Sequence, residues 1–277
     1  MKQYLINLDR RPDRLAEMQG EARKTGLSFT RITALDGESP ASEALAQRWF
    51  AQTGPLGPLS RHEKCCALSH RIAWSALVDS GEDYAVIMED DVRLGPDAGL
   101  LGNREWIPQG VDLIKLEHFG PESQRVLVAD ERRLETAGIS IGRMASRHTG
   151  AAAYLLSRRA AQRLLTLAQF NLPVDHLLFN PNISPVFADL APWQMMPPLA
   201  RQRDFVGERS DLEPARRPLR RFSPAYVKRE IMRGAYEWKL VPRQLLLLLS
   251  GRGILVAISR TQEEDILPAR AAAMPAE

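Results

Sequence analysis

The stretch Asp83-Tyr-Ala-Val-Ile-Met-Glu-Asp-Asp-Val92 constrains this chain more than any other. An apolar run of strand length, rich in Val, Ile and Tyr, ends in three successive carboxylates, Glu89, Asp90 and Asp91. A buried strand delivers acidic side chains to the rim of a sheet in this way. Adjacent anions repel one another unless a cation compensates, and hard oxygen ligands suit Mg²⁺ or Mn²⁺, a cation that usually brings phosphate with it. The same triplet can also simply open a solvated loop, so the rest of the chain decides its meaning.

A chain of 277 residues buries a large core, as one substantial α/β domain with an appendage or as two modest domains. The net charge of +3 is local: Ala215 to Arg243 holds nine Lys/Arg against two acids, a balance of +7 that leaves −4 for everything else. Basicity therefore belongs to a tail segment and not to the presumed catalytic body. The two cysteines, Cys65 and Cys66, are adjacent, which excludes a disulfide framework and leaves a thiolate metal site short of ligands. The start, Met1-Lys-Gln-Tyr-Leu-Ile-Asn-Leu-Asp9, is too polar for a signal sequence, and no window holds the roughly 18 apolar residues of a spanning helix. A cytoplasmic protein is expected.

Tyr4 to Leu8 reads as a buried strand, and Pro12 opens a helix with Leu15, Met18 and Ala22 at helical spacing and Gly26 as its stop. Strand, turn and helix begin a βαβ unit whose turn carries Asn7, Asp9, Arg10, Arg11 and Arg14 at the end where open α/β sheets bind ligands. No Gly-x-Gly-x-x-Gly follows, which speaks against a dinucleotide. Ser28 to Thr33 alternates as a second strand ending in Ala34-Leu-Asp-Gly37, where Asp36-Gly37 is a turn signal and also offers a ribose or base an acceptor.

A helix is expected from His62 to Gly81, preceded by a short one around Ala44 to Phe50; His70, mid-helix, reads more readily as a packing residue than as a chemical one. Val111 to Leu116 predicts a buried strand ending at Glu117-His118, and Val126 to Arg133 with Ile139 to Arg143 a small antiparallel excursion. His148 to Leu156 predicts a small-residue strand leading into a helix capped by Ser157. Asp175 stands either as an N-cap of the next helix or as a chemical group. Ile183 to Ala188 reads as a last strand, and Pro192 to Gln202 as a proline-rich loop.

Four ordered blocks, Tyr4-Leu-Ile-Asn-Leu-Asp-Arg-Arg-Pro-Asp-Arg14, Ala34-Leu-Asp-Gly37, Glu63-Lys-Cys-Cys-Ala-Leu-Ser-His70 and Ala85-Val-Ile-Met-Glu-Asp-Asp-Val92, resemble glycosyltransferase family 25, the lipopolysaccharide and lipooligosaccharide galactosyltransferases. Thr149 to Ser157 and Val174-Asp-His176 look like later blocks in the same order, so the resemblance covers about Met1 to Gln202. One departure is Cys65, which stands where the family usually has Gly.

The resemblance implies an α/β fold of GT-A type, a mostly parallel central sheet flanked by helices, over residues 1–203; composition alone makes 204–277 a basic, partly amphipathic helical C-terminal extension. It further implies a nucleotide-sugar donor, commonly UDP-galactose, a divalent Mn²⁺ or Mg²⁺ ion on Glu89 and Asp91 with His176 completing the shell, and inversion by single displacement. Asp90 would meet the sugar or ribose, Asn7, Arg11, Asp36 and Gly37 the nucleotide, and Asp175, with Glu117 in reserve, would serve as base toward a glycan or lipid-linked oligosaccharide acceptor.

Two other readings share part of this pattern: a nucleotidyltransferase, which attacks phosphorus with the same metal and acids, and a non-catalytic sugar-binding relative. Residues 215–258 mix basic and apolar side chains, either as an interfacial segment on the inner, anionic face of the cytoplasmic membrane or as a helix pair packed on the body. Nucleic-acid binding is not expected.

Overall fold

The computed structural model describes residues 1–51, 53–120, 124–135, 138–202, 231 and 234–258. The whole of the basic stretch from Arg216 to Arg229 and the tail from Ala269 lie outside the described residues.

The chain opens β1 (Lys2–Asn7), α1 (Pro12–Thr25), β2 (Thr30–Thr33), α2 (Pro40–Trp49), α3 (Arg61–Ser80) and β3 (Tyr84–Glu89). β4 (Val92–Leu94), a 3-10 helix (Pro96–Gly102), β5 (Leu113–Lys115), β6 (Glu117–His118), β7 (Arg125–Arg133) and β8 (Ser140–Met144) follow. β9 (Ala153–Ser157), α4 (Arg158–Leu165), α5 (Val174–Phe179), α6 (Phe187–Leu190), β10 (Trp193–Met196) and β11 (Ala200–Gln202) complete the body, and a C-terminal helix (Val241–Leu249) leads to β12 (Gly253–Ala257).

Nine strands form one sheet in the order β12-β7-β8-β10-β5-β9-β3-β1-β2, and β4-β11-β6 form a small second one. In the large sheet β1, β2, β3, β5, β7 and β10 point one way, and β8, β9 and β12 run against them. The sheet is thus mostly parallel in direction and flanked by helices.

Alternation along the strands builds a core on each face. Tyr4, Ile6 and Ile87 join Trp74, Leu77, Tyr154 and Phe179 under α3, α4 and α5, while Leu5, Val86 and Met88 join Met18, Leu101 and Trp106 under α1 and the 3-10 helix. Local signals set the boundaries. Gly26 ends α1 at φ 71°, a left-handed conformation that glycine takes without steric cost. Ser60 and Glu63 close a capping box at the start of α3, and the Ser157 hydroxyl accepts from Ala160 N to start α4.

Three sequence expectations change. Ile183 to Ala188 is a turn and the start of α6, because the Ser184 hydroxyl donates to Leu177 O and accepts from the backbone N of Val186 and Phe187. The strand instead falls at Trp193–Met196, inside the expected proline-rich loop, where both faces are buried. β7 and β8 are not a separate excursion: they extend the main sheet through β10, and β12 from the expected extension pairs with β7 at its edge.

Candidate active site

Register brings the expected motifs to one rim. Ile6 of β1 lies beside Glu89 of β3, and Asn7 beside Thr33 of β2, so the turn after β1, the Ala34–Gly37 turn and the three acids leave the sheet together. Strand order turns back at β1, with β2 on one side and β3 on the other, and the crevice outside such a reversal is where open sheets bind ligands. A cleft of about 650 Å³, partly open to solvent, lies there, lined by Arg10, Arg14, Gly37, Glu89, Asp90 and Asp91 and backed by Cys66 and His70 of α3.

The three acids differ in their surroundings. Asp90 is buried and accepts from Asn7 Nδ2 at 2.6 Å and Arg14 Nη1 at 3.2 Å, while Asn7 Oδ1 takes Arg31 Nε at 2.9 Å. Asp90 and Asn7 thereby brace the β1 turn against the end of β3. Asp91 accepts from Gln202 Nε2 at 2.9 Å through Oδ2, and its Oδ1 is shut off from solvent with no hydrogen-bond partner. Burial, then the charge of Glu89, pushes Asp91 up to about 8. Glu89 receives His70 Nε2 at 3.0 Å and the Cys66 thiol at 4.0 Å, both on Oε1.

A buried, partnerless carboxylate oxygen next to a second carboxylate is what a divalent cation would satisfy, so the donor set on Glu89 and Asp91 fits Mg²⁺ or Mn²⁺. Among the described residues the one close group of three possible ligands is Cys66, His70 and Glu89, with ligand atoms within 4.8 Å of one another. His176 is not in that group; its Nδ1 receives Asn180 Nδ2 at 2.8 Å, the amide orientation being set by Asn182 N on Asn180 Oδ1.

On the amino-terminal side the turn splits its arginines. Arg10 lines the cleft and pairs with Asp36 at 2.8 Å, whereas Arg11 turns to Asp13, also at 2.8 Å, and holds that carboxyl down at about 2. Neighbouring residues on a tight turn point apart, and the cleft therefore receives Arg10 and Arg14 where sequence reasoning chose Arg11. Leu35 N donates to Ser69 Oγ at 2.9 Å, which seats the Asp36-Gly37 turn on α3. A Cβ on Gly37 would come within 2.6 Å of the His62 ring, so only glycine fits there.

Behind the acids lies a second charged group. Glu117 and Lys115 are fully buried and paired at 2.8 Å; Glu117 Oε1 also accepts from Ala152 N, and Lys115 donates to Gly150 O at 2.5 Å. Burial raises the Glu117 pKa and lowers that of Lys115. Neither Glu117 nor Asp175 is among the residues lining the cleft. Asp175 is half-buried and is not a cap: α5 is capped at Pro173, and the Asp175 carboxylate accepts from Gly150 N at 3.3 Å. It also shares an environment with the acids, since after burial it is Glu89, Asp175 and Asp91 whose charges push the Cys66 thiol upward.

Sequence reasoning put Arg10 and Arg14 on the ligand-binding turn without giving them a role, and gave none to His70, Cys66 and Lys115. Two pairs were readable by spacing: Cys66 and His70 sit i, i+4 on one helix face, and Lys115 and Glu117 sit i, i+2 across the step from β5 to β6. Cys65, the departure noted above, is buried inside α3 without disturbing it.

The sequence model described as glycosyltransferase family 25 (LPS biosynthesis protein) matches residues 1–178. A relative in Neisseria meningitidis serogroup B, the lacto-N-neotetraose biosynthesis glycosyltransferase LgtE, is 29% identical over 195 residues, 65% of this chain and 67% of that one. The lipooligosaccharide biosynthesis protein lic2B of Haemophilus influenzae is 26% identical over 188 residues, 64% of this chain and 69% of that one. Among solved structures, a glycosyltransferase involved in glycosylation of the major capsid of PBCV-1 aligns over 77% of this chain and 96% of its own, at 9% identity and a TM-score of 0.33.

Proposed function

The chain belongs to glycosyltransferase family 25, and from that premise we propose that it transfers a hexose, galactose from UDP-galactose, to a lipopolysaccharide or other glycan acceptor by inverting single displacement. The relatives named for lacto-N-neotetraose and lipooligosaccharide biosynthesis support that acceptor class. The observation that carries the reading is the cleft itself, where a carboxylate with a stranded oxygen shares a wall with two arginines.

Glu89 and Asp91 would hold Mn²⁺ or Mg²⁺, which when bound neutralises charge developing on the departing diphosphate. Arg10 and Arg14 add positive charge on the same wall; Arg14 is fixed by its pairing with Asp90, so it contributes field rather than reach. Asp36 and Gly37 form the floor for the nucleoside, Asp36 as an acceptor for ribose hydroxyls and Gly37 by leaving room for close approach. Asn7 and Asp90 act through the turn they brace.

Inversion needs a base on the face of the sugar away from the nucleotide. Asp175 fits this role: it comes from α5, on the carboxy-terminal side of the acids, and Gly150 N fixes its carboxylate without neutralising it. Glu117, buried and paired with Lys115, has the weaker claim.

Incubation with UDP-galactose, Mn²⁺ and a lipooligosaccharide acceptor should release UDP and yield galactosylated product, and Asp175→Asn should abolish turnover while the donor still binds. Release of pyrophosphate from a nucleoside triphosphate instead would make the protein a nucleotidyltransferase. Full turnover by Asp175→Asn would remove the base assignment.

The acceptor class bears on residues 215–258. Among the described residues no helix is long and apolar enough to cross a membrane. The outward face of the C-terminal helix nevertheless exposes Leu245, Leu246, Leu248 and Leu249, the last at 86%, near Trp238 and Lys239. This supports a peripheral seat on an anionic inner leaflet. Co-sedimentation with anionic but not neutral vesicles, lost in Leu246→Glu/Leu249→Glu, is the expected result; indifference to lipid charge and to the double substitution would refute it.

A further inference from the structure

Behind Glu89 runs a chain of buried hydrogen bonds that glycosyl transfer as described above does not use. His70 is fully buried; its Nε2 lies 3.0 Å from Glu89 Oε1 and its Nδ1 2.9 Å from the Tyr154 hydroxyl. That hydroxyl receives Trp74 Nε1 at 2.8 Å, and Tyr154 and Trp74 are themselves fully buried.

Donor logic gives this chain a direction. An indole N–H can only donate, so Trp74 occupies a lone pair of the Tyr154 oxygen. The phenolic hydrogen then needs an acceptor, and His70 Nδ1 is the one within reach. With the opposite tautomer, Nδ1–H would also point at Tyr154, leaving its hydrogen buried without an acceptor at a cost of about 1–3 kcal/mol. Nδ1 is therefore the acceptor, and the ring hydrogen sits on Nε2, aimed at Glu89.

We propose that His70 is a positioning residue, locked by Tyr154 and Trp74 as a hydrogen-bond donor to Glu89 and thereby kept from ligating the cation that Glu89 holds. The close grouping of Cys66, His70 and Glu89 is then not a three-ligand shell. The Cys66 thiol and His70 N–H both give hydrogens to Oε1, which leaves Oε2 clear of these two donors, on a residue that lines the cleft. A carboxylate steered by fixed donors loses less freedom on binding a metal, and substitutions at such supporting positions typically cost 10–100-fold in affinity. The assignment rests on reading Glu89 as a cation ligand, and its test separates the two.

The direct test is the ¹⁵N resonance pattern of the His70 ring in the full-length wild-type protein, assigned through bonds from its own backbone resonances, with and without Mg²⁺ and UDP. The expected pattern has the hydrogen on Nε2 in both states. Transfer of the hydrogen to Nδ1 on adding Mg²⁺ and UDP would make His70 a ligand and overturn the proposal. Mn²⁺ titration by electron paramagnetic resonance gives a second, independent readout. His70→Gln, whose amide can still donate to Glu89, should retain Mn²⁺ affinity within about threefold, while His70→Leu should weaken it about 10–100-fold. Equal loss in both variants would overturn the proposal, and the wild-type resonances decide it even if neither variant folds. Absence of Mn²⁺ binding by the wild type, with Nε2 still protonated, would instead count against Glu89 as a ligand.

Discussion

The molecule buries negative charge twice at the same rim, and handles it in two ways. Glu117 brings its own cation: Lys115, two residues earlier at the end of β5, meets it at 2.8 Å, and the pair is sealed from solvent. The Glu89–Asp91 group has Arg14 for Asp90, a histidine hydrogen for Glu89, and for Asp91 only an amide and no paired cation, so that its carboxyl is pushed up to about 8. Each group leaves one carboxylate oxygen without a partner, Asp91 Oδ1 and Glu117 Oε2, and the paired cation is what separates them. A self-compensated pair of this kind supports the fold, whereas an under-compensated group opening into a cleft is poised for a ligand. The difference, more than the number of acids, distinguishes scaffold from site.

Breaking the closed pair should give the largest effect. Lys115→Met leaves Glu117 buried without its cation, and about 3–5 kcal/mol of stability should be lost in urea denaturation, whether or not Mn²⁺ is present. A variant as stable as the parent would show that Glu117 is not held as an anion and would dissolve the contrast.

The open group should respond the other way. Asp91→Asn removes a carboxylate that the fold keeps at a disadvantage, so metal-free stability should hold or rise while turnover falls about 10²–10³-fold. A loss of stability comparable to that of Lys115→Met would place Asp91 with the scaffold.

A pH titration of the wild type and one histidine variant sharpens the comparison. Burial, then the charge of Lys115, lowers His148 from 6.5 to about 3, and outweighs the acceptors Gln194 Oε1 and Phe119 O, which favour the charged ring. A histidine whose folded pKa is depressed contributes stability present above its unfolded pKa and lost as pH falls. Stability should therefore decline from about pH 6.5 toward pH 3, and His148→Gln should flatten that slope. An unchanged slope would remove His148 from the account.

The smallest effect is expected at the start of α3, the helix that carries Cys66 and His70 to the cleft. Ser60→Ala removes the cap that accepts from Glu63 N and should cost about 1 kcal/mol in thermal unfolding with little change in turnover. A larger fall in turnover than in stability would tie helix placement directly to the open group.

Much of this arrangement was legible beforehand because local chemistry agreed with the fold. Pro12 and Gly26 bracket α1, Ser157 starts α4, and the apolar run before Glu89 could only be a buried strand. Legibility ended where tertiary contacts outvote local pattern. Ser184 draws an apolar stretch into a turn through contacts with its own backbone neighbours and Leu177, and Trp193–Met196 becomes a strand because β5 and β8 flank it. At the site, the order of motifs located the rim, but which arginine enters the cleft depends on a turn geometry that sequence spacing does not encode. Spacing sets His70 on the same helix face as Cys66, but the direction of its hydrogen bond is set by Tyr154, which lies 84 residues away.

The most direct test of the contrast between the two groups is thermal unfolding of the wild type and Asp91→Asn with Mn²⁺ and UDP together, since a ligand that binds the native state raises Tm. The account predicts a rise for the wild type and none for Asp91→Asn. No rise in the wild type, or an equal rise in both, would contradict it.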